Sequence, residues 1–205
     1  TTMNRNKLFI LILALVTTLS FTSCLSDDYE DKQIPQAELK AAFLTIQGNY
    51  QGWLFSHTSD SKSSKIEKKD SLRTTWEIRS DSTVLVRNFP SKMLANNITN
   101  LELKKAVEAL PARDIKCAFN IYSVNPILCD VAPFQFELGK LTYGGETHKV
   151  AIGFAFRRNL TFGGFYAPKK QVGIRLIEGG VIIDDKVQSE FYKGLDYFYL
   201  LSDAT

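Results

Sequence analysis

Apolar and polar residues alternate with a period of two along much of the chain, which is the pattern of half-buried β-strands. The clearest run centres on Trp76 and Ile78, whose neighbours Thr75, Glu77 and Arg79 are polar. Similar runs recur toward the C terminus, separated by turn residues and without an alternation of strands and helices. The pattern predicts a mainly β fold, an antiparallel barrel or sandwich of about nine strands.

Two stretches have a helical period instead. Residues 33–46 place Leu39, Phe43 and Ile46 on one face, with Gly48 as the stop signal. In residues 91–111, the pattern Thr99-x-x-Glu102 is a capping box. We therefore expect one domain over residues 35–205, with an N-terminal helix and a helical insertion at 91–111.

Polar and glycine-rich stretches predict the connections between strands. Residues 56–71 are rich in Ser, Lys and Asp, so they are expected to form a long hairpin loop. The pairs Gly163-Gly164 and Gly179-Gly180 are expected to mark the turns of a later hairpin. Asp184-Asp185 is the carboxylate pair that stands out in the folded domain, and we interpret it as a solvated turn.

The N-terminal segment has the layout of a secretory signal. A basic stretch, Met3–Lys7, precedes nine apolar residues, Leu8–Val16, and small or polar residues then lead to Cys24. Nine helical residues rise only about 14 Å, whereas a bilayer core measures roughly 30 Å. We expect residues 1–23 to be a signal peptide that is removed.

The run Phe21-Thr22-Ser23-Cys24 resembles the lipobox of bacterial lipoproteins. The resemblance implies that Cys24 is lipidated and becomes the first mature residue, with 24–34 as an acidic tether. Residues 25–31 also resemble the acidic export signal of Bacteroidetes surface lipoproteins, which implies an outer membrane protein on the cell surface. A periplasm-facing lipoprotein is the alternative. In either case the expected partner is the membrane, to which the lipid on Cys24 attaches the protein, because several acyl chains anchor a protein stably.

The first predicted strand, Gly48-Asn-Tyr-Gln-Gly-Trp-Leu54, resembles the opening of calycin-like, lipocalin-like domains of Bacteroidetes lipoproteins, several of whose families have no assigned function. A barrel interior lined by aromatic rings could hold an apolar ligand or stack on sugars. The candidate ligand contacts are Trp53, Trp76, Phe154 and Phe156. The alternative is that these rings only fill the hydrophobic core and contact no ligand.

Composition narrows the range of functions. The chain has 25 basic and 22 acidic residues, and loss of Arg5 and Lys7 with the signal leaves it nearly neutral. Nucleic acid is therefore not expected as a partner, because phosphate binding needs a concentrated basic face. Two histidines without metal-ligand spacing predict no metal site, and no cofactor motif or catalytic motif is present. We expect a protein that is not an enzyme.

Two cysteines remain in the domain, Cys117 and Cys129, each on the apolar face of a predicted strand. Asn125-Pro126 marks a turn between them, and a hairpin centred on Ser123 would bring the two residues opposite each other. Either a disulfide or two buried thiols would suit this position.

Two serines lie in short motifs, Asp70-Ser71-Leu72 and Asp81-Ser82-Thr83. Both resemble the O-glycosylation signal of exported Bacteroidetes proteins, which implies that Ser71 and Ser82 are modified.

The leading hypothesis is a non-enzymatic surface lipoprotein that binds a small apolar or glycan ligand in a lipocalin-like domain. The alternative is a structural or protein-interaction module, an inhibitor or accessory subunit, with a filled barrel. The sequence indicates no particular protein partner. An empty interior would favour the first hypothesis, and a packed interior the second.

Overall fold

Eleven strands and two α-helices make up the described part of the chain. The computed structural model describes residues 33–60, 66–80, 82–156, 161–192 and 194–204, and Ile34–Thr205 form one compact unit. In chain order the elements are α1 (Gln36–Ile46), β1 (Gly48–Asp60), β2 (Ile66–Arg79), β3 (Thr83–Phe89), a 3₁₀ helix (Ser91–Ala95), α2 (Leu101–Glu108), β4 (Arg113–Val124), β5 (Ile127–Pro133), β6 (Phe136–Tyr143), β7 (Glu146–Ala155), β8 (Phe162–Tyr166), a 3₁₀ helix (Ala167–Lys169), β9 (Gln171–Ile183), β10 (Lys186–Val187), a 3₁₀ helix (Ser189–Phe191) and β11 (Gly194–Ser202).

Eight of the strands close into an antiparallel barrel. Their order is β1-β2-β3-β4-β5-β8-β9-β11, and β11 returns to β1. The β1–β11 seam runs from Gly52 opposite Ser202 to Asp60 opposite Gly194. The predicted mainly β, antiparallel barrel is therefore confirmed. The hairpin β6–β7 lies outside the barrel and pairs with the second half of β9, so β9 belongs to both parts of the sheet.

The barrel interior is filled by apolar side chains. Fully buried residues from β1, β2, β3, β4, β5, β9 and β11 include Leu54, Trp76, Val84, Val86, Ile115, Cys117, Val131, Leu176 and Phe198. Phe89 and Phe198 meet edge to face, with 5.0 Å between ring centroids. The interior contains an apolar void of about 10 Å³, walled by residues that include Ile46, Phe119 and Phe165. A void of this size holds about one water molecule at most.

The two helical segments lie at opposite ends of the barrel. Helix α1 packs at the end where β1 begins: Ile46 is buried, Phe43 contacts Phe119, and the Tyr50 hydroxyl donates to the Ile46 carbonyl at 2.6 Å. The insertion, consisting of the 3₁₀ helix Ser91–Ala95 and α2, packs at the other end. The predicted N-terminal and inserted helices are both present.

Some local predictions were wrong. Residues 56–71, expected as a loop, belong mostly to β1 and β2, whose ladder continues to Ser59 opposite Ile66; residues 61–65 lie outside the described part. Both glycine pairs expected at turns lie within strands, Gly163-Gly164 in β8 and Gly179-Gly180 in β9. The β7–β9 register slips between Gly153 and Phe154. The cap of α2 is Asn100, whose side chain accepts hydrogen bonds from the backbone of Glu102 and Leu103. Thr99, the expected cap, donates to the Glu190 carbonyl instead.

Candidate binding site on the outer wall

The four aromatic residues predicted to contact a ligand do not come together inside the barrel. Trp76 is in the core with 1% of its surface exposed, whereas Trp53 is 41% exposed and Phe156 is 49% exposed. Phe154 lies on β7, outside the barrel, and is partly buried. The prediction of one interior cluster is therefore wrong. For Trp53 the cause is the phase of β1, in which Leu54 is buried and Trp53 faces outward.

Aromatic rings nevertheless gather on the outer wall. Along one row across the sheet, Ser71 of β2 is opposite Phe55 of β1, Phe55 is opposite Tyr199 of β11, and Tyr199 is opposite Arg175 of β9. Arg175 in turn is opposite Phe162 of β8. In the next row, Trp53 lies between Arg73 and Leu201. We call this surface, formed by Trp53, Phe55, Tyr199, Leu201 and Phe162 with Arg73 and Arg175, the aromatic face.

Cationic side chains lie over three aromatic rings of this surface. The Arg73 guanidinium carbon is 5.3 Å from the Trp53 ring centroid, and that of Arg175 is 4.7 Å from the Phe162 centroid. Lys68 Nζ lies 4.9 Å from the Phe55 centroid. Each of these separations is within the range of a cation–π interaction. These contacts place a cation against each of the three rings, including Trp53, which is exposed to solvent.

A polar groove of about 250 Å³ adjoins the aromatic face, lined by Gln51, Arg73, Thr74, Thr75, Arg87 and Asn88. It forms where β2 and β3 separate. Their ladder extends only to Trp76 opposite Val86, and beyond it the Thr74 hydroxyl donates to the Arg87 carbonyl at 3.0 Å. Arg73 is common to the groove and the aromatic face, so the two form one continuous surface.

The charges around the groove are paired with one another. Arg73 donates to both carboxylate oxygens of Asp203, and Arg87 donates to Asp114 at 2.8 Å and to Glu77 at 3.5 Å. The hydrogen bond from Arg73 holds the pKa of Asp203 below its usual range. The backbone amide of Asn88 and then Arg87 lower the pKa of Asp114. The groove thus presents fixed donors and acceptors without a large uncompensated charge.

This arrangement suits a neutral, hydroxyl-rich ligand. The exposed ring of Trp53 offers a flat apolar surface against which the C–H groups of a sugar can pack. Sugar hydroxyls both donate and accept, so they can bond guanidinium groups, carboxylates and the Gln51 amide together. An anionic ligand would have to compete with Asp203 and Asp114 for the arginines.

The cysteine prediction needs correction. The turn falls at Asn125-Pro126, and the register sets Cys129 opposite Ile121 and Cys117 opposite Pro133, so the two cysteines do not face each other. Both are free thiols in the core. Burial raises the pKa of Cys117 far above its ordinary value and that of Cys129 to about 12. Of the two possibilities, the structure has buried thiols.

The remaining predicted sites are partly visible. Ser82 is exposed in the β2–β3 turn, and Ser71 is partly buried on β2, where its amide donates to Asp70 at 2.7 Å. Asp184 and Asp185 form the exposed turn that was predicted, with positive φ angles of 48° and 62°. Cys24, the signal segment 1–23 and most of the tether lie outside the described residues.

Within the described ranges, no three His, Cys, Asp or Glu side chains are grouped so that they could hold a metal ion. No helix in the described part of the chain is long and apolar enough to span a bilayer.

Sequence reasoning missed a second pair of acids. Glu178 of β9 is opposite Asp196 of β11, and both are fully buried. One signal was available, because Val172, Ile174 and Leu176 alternate with more exposed residues and Glu178 continues their buried series.

These observations define the chain as an antiparallel β-barrel protein with a packed interior and with aromatic side chains on its outer wall. It belongs to the family described as a domain of unknown function (DUF4840), whose model matches residues 45–183, more than half of the chain. The match covers β1 to β9 and ends before β11, the strand that closes the barrel. A search of curated proteins and a search of solved structures found no match.

Proposed function

We propose that this protein is a non-enzymatic lipoprotein of the bacterial outer membrane that binds a neutral glycan on the outer wall of its barrel. The observation that carries the proposal is the exposed Trp53 ring, held by Arg73 beside a polar groove of about 250 Å³. In this proposal the barrel is a filled framework, and recognition takes place on the aromatic face and in the adjoining groove.

The packed core argues for a ligand on the outside. An apolar void of about 10 Å³ is far smaller than the several hundred Å³ typical of small-molecule sites. A ligand inside the barrel would have to displace Trp76 or Phe198, both fully buried. The groove, in contrast, is open to solvent and needs no rearrangement of the core.

The paired charges argue for a neutral glycan over an anionic one. Arg73 and Arg87 are already bonded to Asp203, Asp114 and Glu77. Such bonded pairs leave lone pairs and N–H groups at fixed positions for hydroxyls, while their opposite charges cancel.

The test is binding of soluble polysaccharides to residues 33–205, measured by affinity electrophoresis and by tryptophan fluorescence. The chain has two tryptophans, of which Trp53 is exposed and Trp76 is buried, so a bound glycan should protect the Trp53 emission from acrylamide. Trp53→Ala should reduce affinity at least tenfold, which corresponds to about 1.4 kcal/mol. Gln51→Ala should weaken binding less.

Phe134→Ala is the matched control, because Phe134 is an aromatic residue with 52% exposure that lies outside the aromatic face. It should bind like the unchanged protein. Glycan binding that survives Trp53→Ala would contradict the proposed site. If no glycan binds but a protein from the envelope is retained in a manner that depends on Trp53, the protein-interaction alternative is favoured.

The anchor is proposed from the sequence layout at Cys24 and can be tested separately. Metabolic labelling with an alkyne fatty acid should mark the full-length protein and not the Cys24→Ala variant. Protease treatment of intact cells should remove the domain if it is on the surface, whereas a protected domain would indicate a periplasmic orientation. Intact mass before and after Ser71→Ala or Ser82→Ala tests O-glycosylation, since each variant should lose the mass of a glycan.

A further inference from the structure

Two carboxyl groups are buried together at the end of the barrel opposite α1. Asp196 and Glu178 are direct partners on β11 and β9, and neither side chain is exposed to solvent. Thr58 of β1 is opposite Asp196 and donates a hydrogen bond to its Oδ1. Both carboxyl oxygens of Glu178 and Oδ2 of Asp196 have no hydrogen-bond partner.

The helical insertion packs over this end of the barrel. We call residues 91–110 the lid. Its side chains Met93, Leu94 and Ala95 are fully buried. Asn96 Nδ2 donates to Ser56 Oγ at 3.0 Å, and the backbone amide of Asn97 lies close enough to Asp196 to lower the pKa of that carboxyl. The lid therefore contacts the acid pair directly.

A second segment joins the lid next to the acids. Ile98 forms an isolated bridge with Tyr192, and the Thr99 amide donates to the Phe191 carbonyl at 2.9 Å. The Tyr192 hydroxyl lies beside Glu178 without meeting hydrogen-bond geometry, and Asn97 Nδ2 is also buried without a partner. The Tyr192 hydroxyl lowers the pKa of Glu178, but burial and the charge of Asp196 outweigh this effect.

Among the described residues, two lysines act on the acid pair. Lys104 of the lid and Lys69 of β2 both act on Asp196, and Lys104 Nζ is also bonded to the Ala95 carbonyl at 2.8 Å and to Glu108 at 3.4 Å. Burial raises the pKa of Asp196 to about 6, against the lowering effects of Thr58, Lys104, Asn97 and Lys69. Burial, and then the charge of Asp196, raise the pKa of Glu178 well above its usual range. Two acids this close titrate as a unit, not independently.

We propose that the Glu178–Asp196 pair makes the lid a proton-sensitive closure, packed on the barrel when the pair is protonated and loosened as the pair ionises. A raised pKa in the closed state means that closure binds protons, so the free energy of closure is most favourable in acid and is lost as pH rises. The window begins near pH 4, the ordinary range of a hydrated carboxyl, and extends through about pH 6 for Asp196. The raised pKa of Glu178 acts in the same direction.

The test is hydrogen exchange of the backbone amides of the lid in residues 33–205, from pH 4 to pH 8, corrected for the intrinsic exchange rate. Ionisation of Asp196 alone, with its pKa at about 6, should increase lid opening about 100-fold across this range. Amides of the β2–β3 ladder, at the other end of the barrel, should change much less. Glu178→Gln and Asp196→Asn should each flatten the pH dependence, and Asp184→Asn, which changes an exposed acid, should leave it intact.

Lid protection that does not vary with pH in the unchanged protein would overturn the proposal, as would a pH dependence that both variants retain. Carboxyl carbon NMR of the unchanged protein provides a second measurement in case a variant fails to fold. Titration of Glu178 and Asp196 in step with lid exchange supports the closure. Titration of both at ordinary carboxyl values would overturn it.

Discussion

Replacing Gly52 with alanine should open the seam at which the barrel closes. Gly52 of β1 lies opposite Ser202 of β11, and a Cβ added there would be 2.1 Å from the Leu201 carbonyl oxygen. It would also be 2.7 Å from the Ser202 Cα and 2.8 Å from the Leu201 carbonyl carbon. All three neighbours are backbone atoms, so no side chain can rotate away to relieve the contact.

This geometry determines how much free energy of unfolding Gly52→Ala should remove. Ordinary van der Waals contact with a Cβ begins at 3.4 Å. The strands would therefore have to separate by roughly 1 Å, which breaks ladder hydrogen bonds. Overpacking costs about 1–3 kcal/mol, and each lost hydrogen bond adds about 1 kcal/mol. We expect Gly52→Ala to lower the free energy of unfolding by about 3 kcal/mol or more. For a domain of this size the midpoint of thermal unfolding should fall by roughly 6–12 °C.

Gly173→Ala is the matched control, since Gly173 lies on β9 at the other side of β11. A Cβ there has its nearest neighbour, the Leu200 carbonyl oxygen, at 3.9 Å, which is an ordinary contact. This variant should unfold within about 1 kcal/mol of the unchanged protein. Urea unfolding followed by circular dichroism and by tryptophan fluorescence measures both variants. Equal midpoints for the two variants would refute the argument that close approach at the seam requires glycine.

Three further predictions concern single residues. Asn100→Ala removes the cap of α2 and should cost about 1 kcal/mol in urea unfolding, whereas Thr99→Ala should change stability by less than about 0.5 kcal/mol. At pH 8 the Cys129 thiol should react with a maleimide about a thousandfold more slowly than a model thiol, and the Cys117 thiol should react more slowly still. Intact mass should show both cysteines labelled only after unfolding, and rapid labelling of the folded protein would contradict their burial. Asp196→Asn should raise the free energy of unfolding at pH 8 by up to ~3 kcal/mol and leave that free energy nearly unchanged below pH 4, because burial of Asp196 disfavours only its ionised form. Urea unfolding at the two pH values measures the difference, and a gain in stability at low pH would contradict the prediction.

Alternation predicted strands well where the two faces differ in polarity. Trp76 and Ile78 face inward and their neighbours on β2 are polar, so β2 was predicted from the sequence. On β1 the apolar residues Trp53, Leu54 and Phe55 are consecutive, and a period of two cannot say which face is buried. The answer depends on the register with β2 and β11, which is set by the whole barrel. The location of Trp53 was mispredicted for this reason.

The candidate sites depend on contacts that no local pattern contains. Arg73 is held by Asp203, which follows it by 130 residues, and Trp53 gains its cationic neighbour only because β1 and β2 pair in this register. The acid pair likewise arises from the pairing of strands that are distant in sequence. Glu178 and Asp196 become neighbours through the β9–β11 ladder, so the sequence could indicate that Glu178 is buried but not which residue faces it.

The position of the seam also has a consequence for the order of folding. β1 and β11 are the first and last strands of the barrel, and the residues they pair, such as Gly52 and Ser202, are separated by roughly 150 positions. Their pairing depends on the largest loop closure in the domain, and contacts this distant in sequence form slowly. While the chain is synthesised N terminus first, one edge of β1 stays unpaired until β11 has been made. Unpaired edges invite association with other chains, so the interval before closure is the period in which this protein most needs a chaperone.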